Sequence, residues 1–298
     1  MSVPGLSIVT VLHQSEADLQ RLLASLDAHL PQRPELIVVD AQSTDEGPAI
    51  ARDWGATVIE LGANPGFGPA NNAGVARASN DVVALLNPDI ELLDNGLLDL
   101  AAKARDRDAL LAPRLLNVDG STQRSAHPLP GTAKALLPAL IHPSMLPSNL
   151  RQQAEPHRAT TPTEVGWAIA AALVAGKTTL QRLGPFDPDA FLFYEDLDLC
   201  LRARAAGVPT VLHPEVRLRH AGAHATGPAF GGEPHDLQAR RRREVVGSAL
   251  GPRALATDDA AQALTFATRI AARRALRRDA GRETAQLRAL LRARKADP

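Results

Sequence analysis

The chain has 298 residues, enough to bury one large domain or a domain with an appendage. Hydrophobic residues make up 45% and charged residues 22%, an ordinary globular balance, and the formal net charge is zero. The single cysteine, Cys200, excludes an intrachain disulfide and a multi-cysteine zinc site; with no apolar run of ~18 residues and no basic-then-apolar opening, the expectation is a cytoplasmic chain that does not span a membrane. In chain order, Leu6–Leu12 (LSIVTVL) is a β-branched apolar run that predicts a strand, and EADLQRLLASLDAHL after it has helical spacing through Leu19, Leu22, Leu23 and Leu26. Glu35–Asp40 (ELIVVD) predicts a second strand, EGPAIARDWG a helix and ATVIEL a third strand. After a Gly/Asn/Pro loop, PANNAGVARAS predicts a helix and Asp81–Asn87 (DVVALLN) a further buried strand. This alternation predicts a parallel, doubly wound sheet, in which ligands bind beyond the carboxyl ends of the strands.

Three such ends carry polar residues that a strand end does not require. They are Asp40 to Asp45, the loop ANPGFGPANNAG (Ala63 to Gly74), and NPDIEL (Asn87 to Leu92). Each alone has a turn or cap explanation; three on one rim predict a ligand site. Two other stretches imitate phosphate loops and fail the pattern. Gly176-Lys177-Thr178 has Ala171 where the first glycine belongs, and Gly66/Gly68 are followed by Asn71 where the third glycine belongs.

Between Ser125 and Arg158 the chain holds Pro128, Pro130, Pro138, Pro143, Pro147 and Pro156. Its apolar residues, among them Leu136, Leu137, Leu140, Ile141, Met145 and Leu146, are too interrupted for a spanning helix. An insertion packed on the domain, a mobile loop beside a ligand site and a surface for a binding partner all stay open. Farther on, FLFYEDLDLCLRARAAG (Phe191 to Gly207) sets an aromatic run against Glu195, Asp196 and Asp198. The apolar spacing from Leu197 to Ala205 predicts a helix beginning near Glu195, whose first-turn acids suit the helix dipole. The like charges of Glu195 and Asp198 would raise the pKa of Asp196 while a helix N-terminus opposes the rise, so the net direction stays open.

From Asp236 onward there are fifteen Lys and Arg against seven Asp and Glu, and before it eighteen against twenty-six. A basic tail thus follows an acidic body, with helical patterns at roughly Asp258 to Arg278 and Gly281 to Lys295. Phe266 is its only aromatic residue, so no stacking platform for nucleic acid is visible. A solvated helical appendage, or one resting on anionic lipid, fits the pattern.

In order along the chain stand VVDAQSTD, NPGFGPANN, LLNPDIEL, APRLLNVDGS, GPFDPDAFLFYEDLDLCLRARAAG and VRLRHAG. Together they resemble the inverting family 2 glycosyltransferases of the GT-A fold, rhamnosyltransferase-like branch, from about Leu6 to His224. The resemblance implies an α/β, Rossmann-like nucleotide-diphospho-sugar transferase with a mostly parallel sheet flanked by helices. A catalytic domain would span 1–235 and a basic helical extension 236–298. It implies a nucleotide-sugar donor, most plausibly dTDP-rhamnose, an Mg²⁺ or Mn²⁺ cofactor, and a polysaccharide or lipid-linked acceptor; no nucleic acid is implied. Peripheral contact with an anionic membrane and self-association are further open partners.

By position, Asp40 resembles the acid that bonds the nucleobase, and Asn64, Gly66 and Asn71 belong to the loop that approaches the nucleotide. Asn87-Pro88-Asp89 matches a variant Asp-x-Asp motif with Asp89 on the metal, and His220 supplies a further metal or phosphate contact. Asp196 matches the catalytic base, with Glu195 and Trp167 beside the substrate. The chain departs from the family where Ala41 replaces a common Asn and where WAIAAALV (Trp167 to Val174) replaces Trp-x-x-Gly-Ala. A non-catalytic binding or assembly protein on the same fold is the alternative.

Overall fold

The computed structural model describes residues 5–132, 135–136, 146–184, 186–188, 190–222 and 233–296. Elements β1 (Leu6–Leu12), α1 (Glu16–His29), β2 (Glu35–Asp40), α2 (Gly47–Trp54), β3 (Thr57–Glu60), α3 (Phe67–Arg77) and β4 (Val82–Leu86) alternate as the apolar runs predict. β1 pairs in parallel with β2 on one side and β4 on the other, and β3 joins β2 in parallel. The chain therefore steps outward from β1 to β3 and returns past β1 to β4, which opens a crevice at the carboxyl ends of β1 and β4. Alternate strand residues feed two cores, which is why the runs are apolar throughout. Ile8, Leu36 and Val38 pack with Leu19, Leu22, Leu97 and Leu100, while Val9, Ile37 and Val39 pack with Val75, Leu197 and Leu201.

The body continues through β5 (Ile90–Leu92), α4 (Gly96–Asp106), β6 (Leu110–Leu116), β7 (Ala126–His127), α5 (Ser148–Ala154), β8 (Thr163–Val165), β9 (Trp167–Ala168), β10 (Ala172–Gly176), α6 (Lys177–Leu183), α7 (Glu195–Ala205) and β11 (Thr210–His220). β10 runs antiparallel to β4 and β6, and β11 runs parallel to β6 and antiparallel to β5 and β8. A register shift between His213 and Arg217 interrupts β11 at Pro214, which has no N–H for the ladder. Beyond the shift His220 pairs with Ile90, next to Asp89. Lys177, in the stretch that imitates a phosphate loop, donates its ammonium to the Ala78 carbonyl at 2.6 Å.

The basic extension forms α8 (His235–Ala275) and α9 (Gly281–Ala296). Its helical structure begins well before Asp258, because Val245 and Val246 pack into the core that holds Leu197 and Leu201. α8 breaks at Gly251, whose φ is 81°, with Pro252 following. Two arginines clasp the segments across the break: Arg242 makes two 2.8 Å bonds to Asp258, and Arg243 pairs with Asp259. The extension is thus packed on the body, with part of its charge spent internally. Leu137, Leu140, Ile141 and Met145 of the proline-rich stretch lie outside the described residues; its flanks form β7, α5 and a 3-10 turn at Pro156–Arg158. No described helix is long and apolar enough to cross a membrane.

Arg243 and Asp259 are both buried, so removing the carboxylate breaks a desolvated ion pair. Asp259→Ala is expected to lower the free energy of unfolding by about 3–5 kcal/mol, read by urea denaturation. An unchanged midpoint would show that the clasp does not stabilise the packing of the two segments of α8.

Candidate active site

The sheet places the sequence-predicted residues along its carboxyl rim. Asp40 ends β2, and its carboxylate accepts the Ser43 N–H at 3.2 Å. Beyond β3, Asn64 Oδ1 accepts the Gly66 N–H at 3.0 Å. Gly66 has φ 98°, and a Cβ there would lie 2.0 Å from the Phe191 carbonyl oxygen, which also accepts the Phe67 N–H at 3.1 Å. The glycine is therefore required by a backbone contact within the protein. Asn71 is 2% exposed, and its amide donates to the Phe67 carbonyl one helical turn earlier. Its neighbour Asn72, which sequence reasoning missed, clamps the Phe186 backbone with bonds of 2.9 and 3.0 Å.

After β4, the Asn87 N–H donates to the Ala171 carbonyl at 2.8 Å, and Asn87 Oδ1 is buried without a partner. Asp89 Oδ2 accepts the Gly222 N–H at 2.7 Å, and its Oδ1 lies 3.3 Å from His220 Nε2. The other ring nitrogen, Nδ1, stands 2.8 Å from Gln123 Oε1. Gln123 Nε2 donates to Asn117 Oδ1 at 3.2 Å, which fixes the amide so that Oε1 faces the histidine and Nδ1 is the donor. With Nδ1–H committed to Gln123, Nε2 faces the Asp89 carboxylate, to which a protonated ring donates and beside which a cation would take the place of that proton. A cation between the two groups satisfies both, and Gln123 sets the ligand tautomer. Burial pushes the Asp89 carboxyl up, but the His220 bond and charge and the Gly222 N–H outweigh it, holding the group below the usual range and ionised. Among the described residues no three His, Cys, Asp or Glu gather into a metal cage. Two protein donors plus substrate phosphates suit a hard divalent cation, so the residues present fit the group.

The acidic knot opens α7. Phe193 and Tyr194 both have left-handed backbone, φ 74° and 63°, a strained entry for two non-glycine residues in succession. Asp198 leaves the knot, because its carboxylate pairs with Arg202 at 2.8 Å. Glu195 is buried, and its Oε2 has no partner. Asp196 Oδ1 accepts the Leu197 N–H at 2.7 Å and Oδ2 the Ala170 N–H at 3.3 Å. Burial dominates both carboxyls: it drives Glu195, with help from the charge of Asp196, up to about 8. It raises Asp196 to about 6 against the Leu197 and Ala170 N–H groups and the charge of Arg242. The direction left open by the sequence is therefore upward, with desolvation as the main cause.

One turn joins these parts. Ala170 gives its N–H to Asp196 while Ala171 gives its carbonyl to Asn87, so adjacent residues between β9 and β10 link the acidic knot to the Asn-Pro-Asp stretch. Trp167, at the start of that turn, stacks on His127 with ring centroids 4.1 Å apart and lies 6.3 Å from Tyr194. Arg242 of α8 sits over the Tyr194 ring at 5.5 Å. Neither Arg242 nor Gln123 carries a motif, and only the fold brings them here. A larger cleft of about 520 Å³ at Asp81, Gly176 and Arg182 opens at the amino end of β4, away from this rim.

The family model Glycosyl transferase family 2 matches residues 7–174. An N-acetylglucosaminyl-diphospho-decaprenol L-rhamnosyltransferase of Mycobacterium tuberculosis is 30% identical over 240 residues, 74% of this chain and 78% of that protein. A Pyrobaculum calidifontis mannosyltransferase solved with GDP-Man and Mn²⁺ superposes with a TM-score of 0.61 at 16% identity, covering 100% of this chain and 88% of that one. GalNAc-T7, solved with UDP, GalNAc and Mn²⁺, gives 0.60 at 18% identity; 81% of this chain is covered, but only about half (48%) of that longer one. The two structures share the GT-A fold with this chain. With the family model spanning more than half of its length and its rim built as described, the chain belongs to glycosyl transferase family 2.

Proposed function

We propose that the chain is a metal-dependent inverting glycosyltransferase that moves L-rhamnose from dTDP-rhamnose to a hydroxyl of a lipid-linked diphospho-sugar. The observation that carries this reading is the Ala170–Ala171 turn, which holds a carboxylate of raised pKa against the Asn-Pro-Asp stretch. The sugar and the acceptor class rest on the mycobacterial relative's name.

The donor lies along the carboxyl rim, its nucleobase toward Asp40 and its phosphates toward Asn64–Gly66 and Asn87–Asp89. Asp89 and His220 would hold Mg²⁺ or Mn²⁺, which neutralises charge on the departing nucleoside diphosphate. Asp196 takes the proton of the acceptor hydroxyl as that oxygen attacks the anomeric carbon. The bond to the donor phosphate breaks on the opposite face, its electron pair leaves with the nucleoside diphosphate, and the configuration inverts. A pKa of about 6 leaves Asp196 mostly ionised at neutral pH yet more basic than an ordinary aspartate. Glu195, at about 8, keeps its proton there and spares the knot a second charge. Trp167 and Tyr194 wall the acceptor side.

Asp196→Asn keeps the shape but cannot take the proton, so transfer should fall about 10²–10⁴-fold with donor Kd, by calorimetry, nearly unchanged. Near-normal transfer would return the acidic knot to a helix-capping role. Asp89→Ala should abolish metal-dependent donor binding, whereas Asp40→Ala should weaken donor binding with or without metal; identical responses would sink the assignment.

Glu195 and Asp196 titrate as a pair, and both carboxyls lie above their ordinary values of 4.5 and 3.8. The pH–rate profile should have an acid limb with its midpoint near 6. A folded state that binds these protons more tightly is favoured at low pH. Their contribution to stability is complete below pH ~4 and is lost as pH rises through 6 to 8. Glu195→Gln should flatten the upper part of that loss, read as melting temperature between pH 6 and 9.

A further inference from the structure

Beside the acidic knot, a cavity of about 140 Å³ opens between the body and α8, lined by Arg124, His127, Trp167, Arg242, Phe266 and Arg269 among others. Arg242 is held by its two bonds to Asp258. Arg124 and Arg269 keep solvent access, Arg269 with part of its side chain covered, and neither has a side-chain hydrogen bond or ion pair among the described residues. Glu283, whose charge reaches Arg269, is itself paired with Arg273 at 2.7 Å. Among the described residues, two guanidinium groups with no bonded counter-ion therefore converge on one hollow, whose lining carboxylate, Asp258, is engaged by Arg242.

The neighbours register that charge. Burial first, then Arg124 and Arg242, hold His127 down to about 3; burial and then Arg124 hold His157 to about 4. Arg269 is likewise lowered by burial and then by Arg124. The histidines stay neutral at neutral pH, so the hollow combines uncharged ring faces with unspent guanidinium groups. Guanidinium forks match phosphate oxygens better than any other side chain.

The position of the hollow relative to the base narrows the ligand. Trp167 is shared between the cavity wall and the Tyr194 contact. Arg242 lines the cavity, lies over Tyr194 and acts on the charge of Asp196. A sugar whose hydroxyl meets Asp196 and whose ring lies on the Trp167 side would present its anomeric substituent to Arg124 and Arg269.

We propose that this cavity is the subsite for the diphosphate that joins the acceptor sugar to its lipid, with Arg124 and Arg269 as its phosphate-binding residues. A diphosphate diester carries one negative charge on each phosphate, matching the two arginines that no described side chain bonds. The assignment rests on the glycosyl-transfer reading above, and it gives the C-terminal helices a role in acceptor recognition.

The test uses the full chain with one donor and two acceptors of the same sugar: N-acetylglucosamine diphosphate on a short alkyl chain, and the uncharged alkyl N-acetylglucosaminide. The wild type should have the lower KM for the diphosphate acceptor. Arg124→Ala with Arg269→Ala should raise that KM by about 10-fold or more, the scale of lost hydrogen bonds to a charged group. Donor KM and kcat should move less than twofold. An equal rise for both acceptors, or a parallel rise in donor KM, would overturn the proposal. So would a loss confined to binding of phosphatidylglycerol vesicles, which would assign the arginines to lipid headgroups.

A second readout does not need turnover. Trp167 shares its fluorescence only with Trp54, so in a Trp54→Phe background inorganic diphosphate with EDTA should perturb Trp167, and the double arginine variant should abolish the response. A response that survives the double variant, or none in the parent, overturns the subsite. Absence of transfer with this response intact would instead count against the glycosyl-transfer reading.

Discussion

Two backbone hydrogen bonds made by adjacent residues set the geometry on which everything else in the site depends. Ala170 fixes Asp196 and Ala171 fixes Asn87, so the turn between β9 and β10 holds two motifs that lie more than a hundred residues apart. Main-chain atoms make both bonds, so the alanines that replace the family's usual pattern leave the tether intact. Because β10 runs antiparallel back along β4, with Ala172 opposite Leu86, the sheet itself dictates where that turn sits. A carboxylate proposed as a base can be effective only when held within hydrogen-bonding reach of its proton, and here the pairing of β10 with β4 supplies that constraint.

The acidic knot illustrates which electrostatic effect wins. A helix N-terminus favours a carboxylate by about 0.3–1 kcal/mol. Burial nevertheless raises Asp196 to about 6, so desolvation outweighs the helix N-terminus. Like-charge crowding is secondary, since Asp198 is occupied by Arg202. Arg242 tempers the result from the far side of the chain, so the basic extension takes part in the electrostatics of the acidic body.

The first half of the sheet was readable from sequence because strands buried on both faces must be apolar throughout. The second half was not. β6, β10 and β11 are joined through register and a proline-marked shift that no periodicity announces. Among site residues, Asp40, Asp89 and Asp196 stand where strand ends and a helix start put them. The burial of Asn71 was legible in its helical phase: it shares a buried face with Ala70, Gly74 and Val75. Gln123 and Arg242 could not be found, since their importance arises only from what folds beside them. The charge of the extension was legible, but the clasp that spends part of it needed the break at Gly251.

The contact between Gly66 and the Phe191 carbonyl couples two loops of this chain. The loop after β3 and the aromatic loop before α7 share one backbone interface that tolerates no Cβ. A backbone change in either must be accommodated by the other. A chimera that imports the aromatic loop from another protein must therefore also import a partner loop that fits it, because one missing methyl group ties the two segments together.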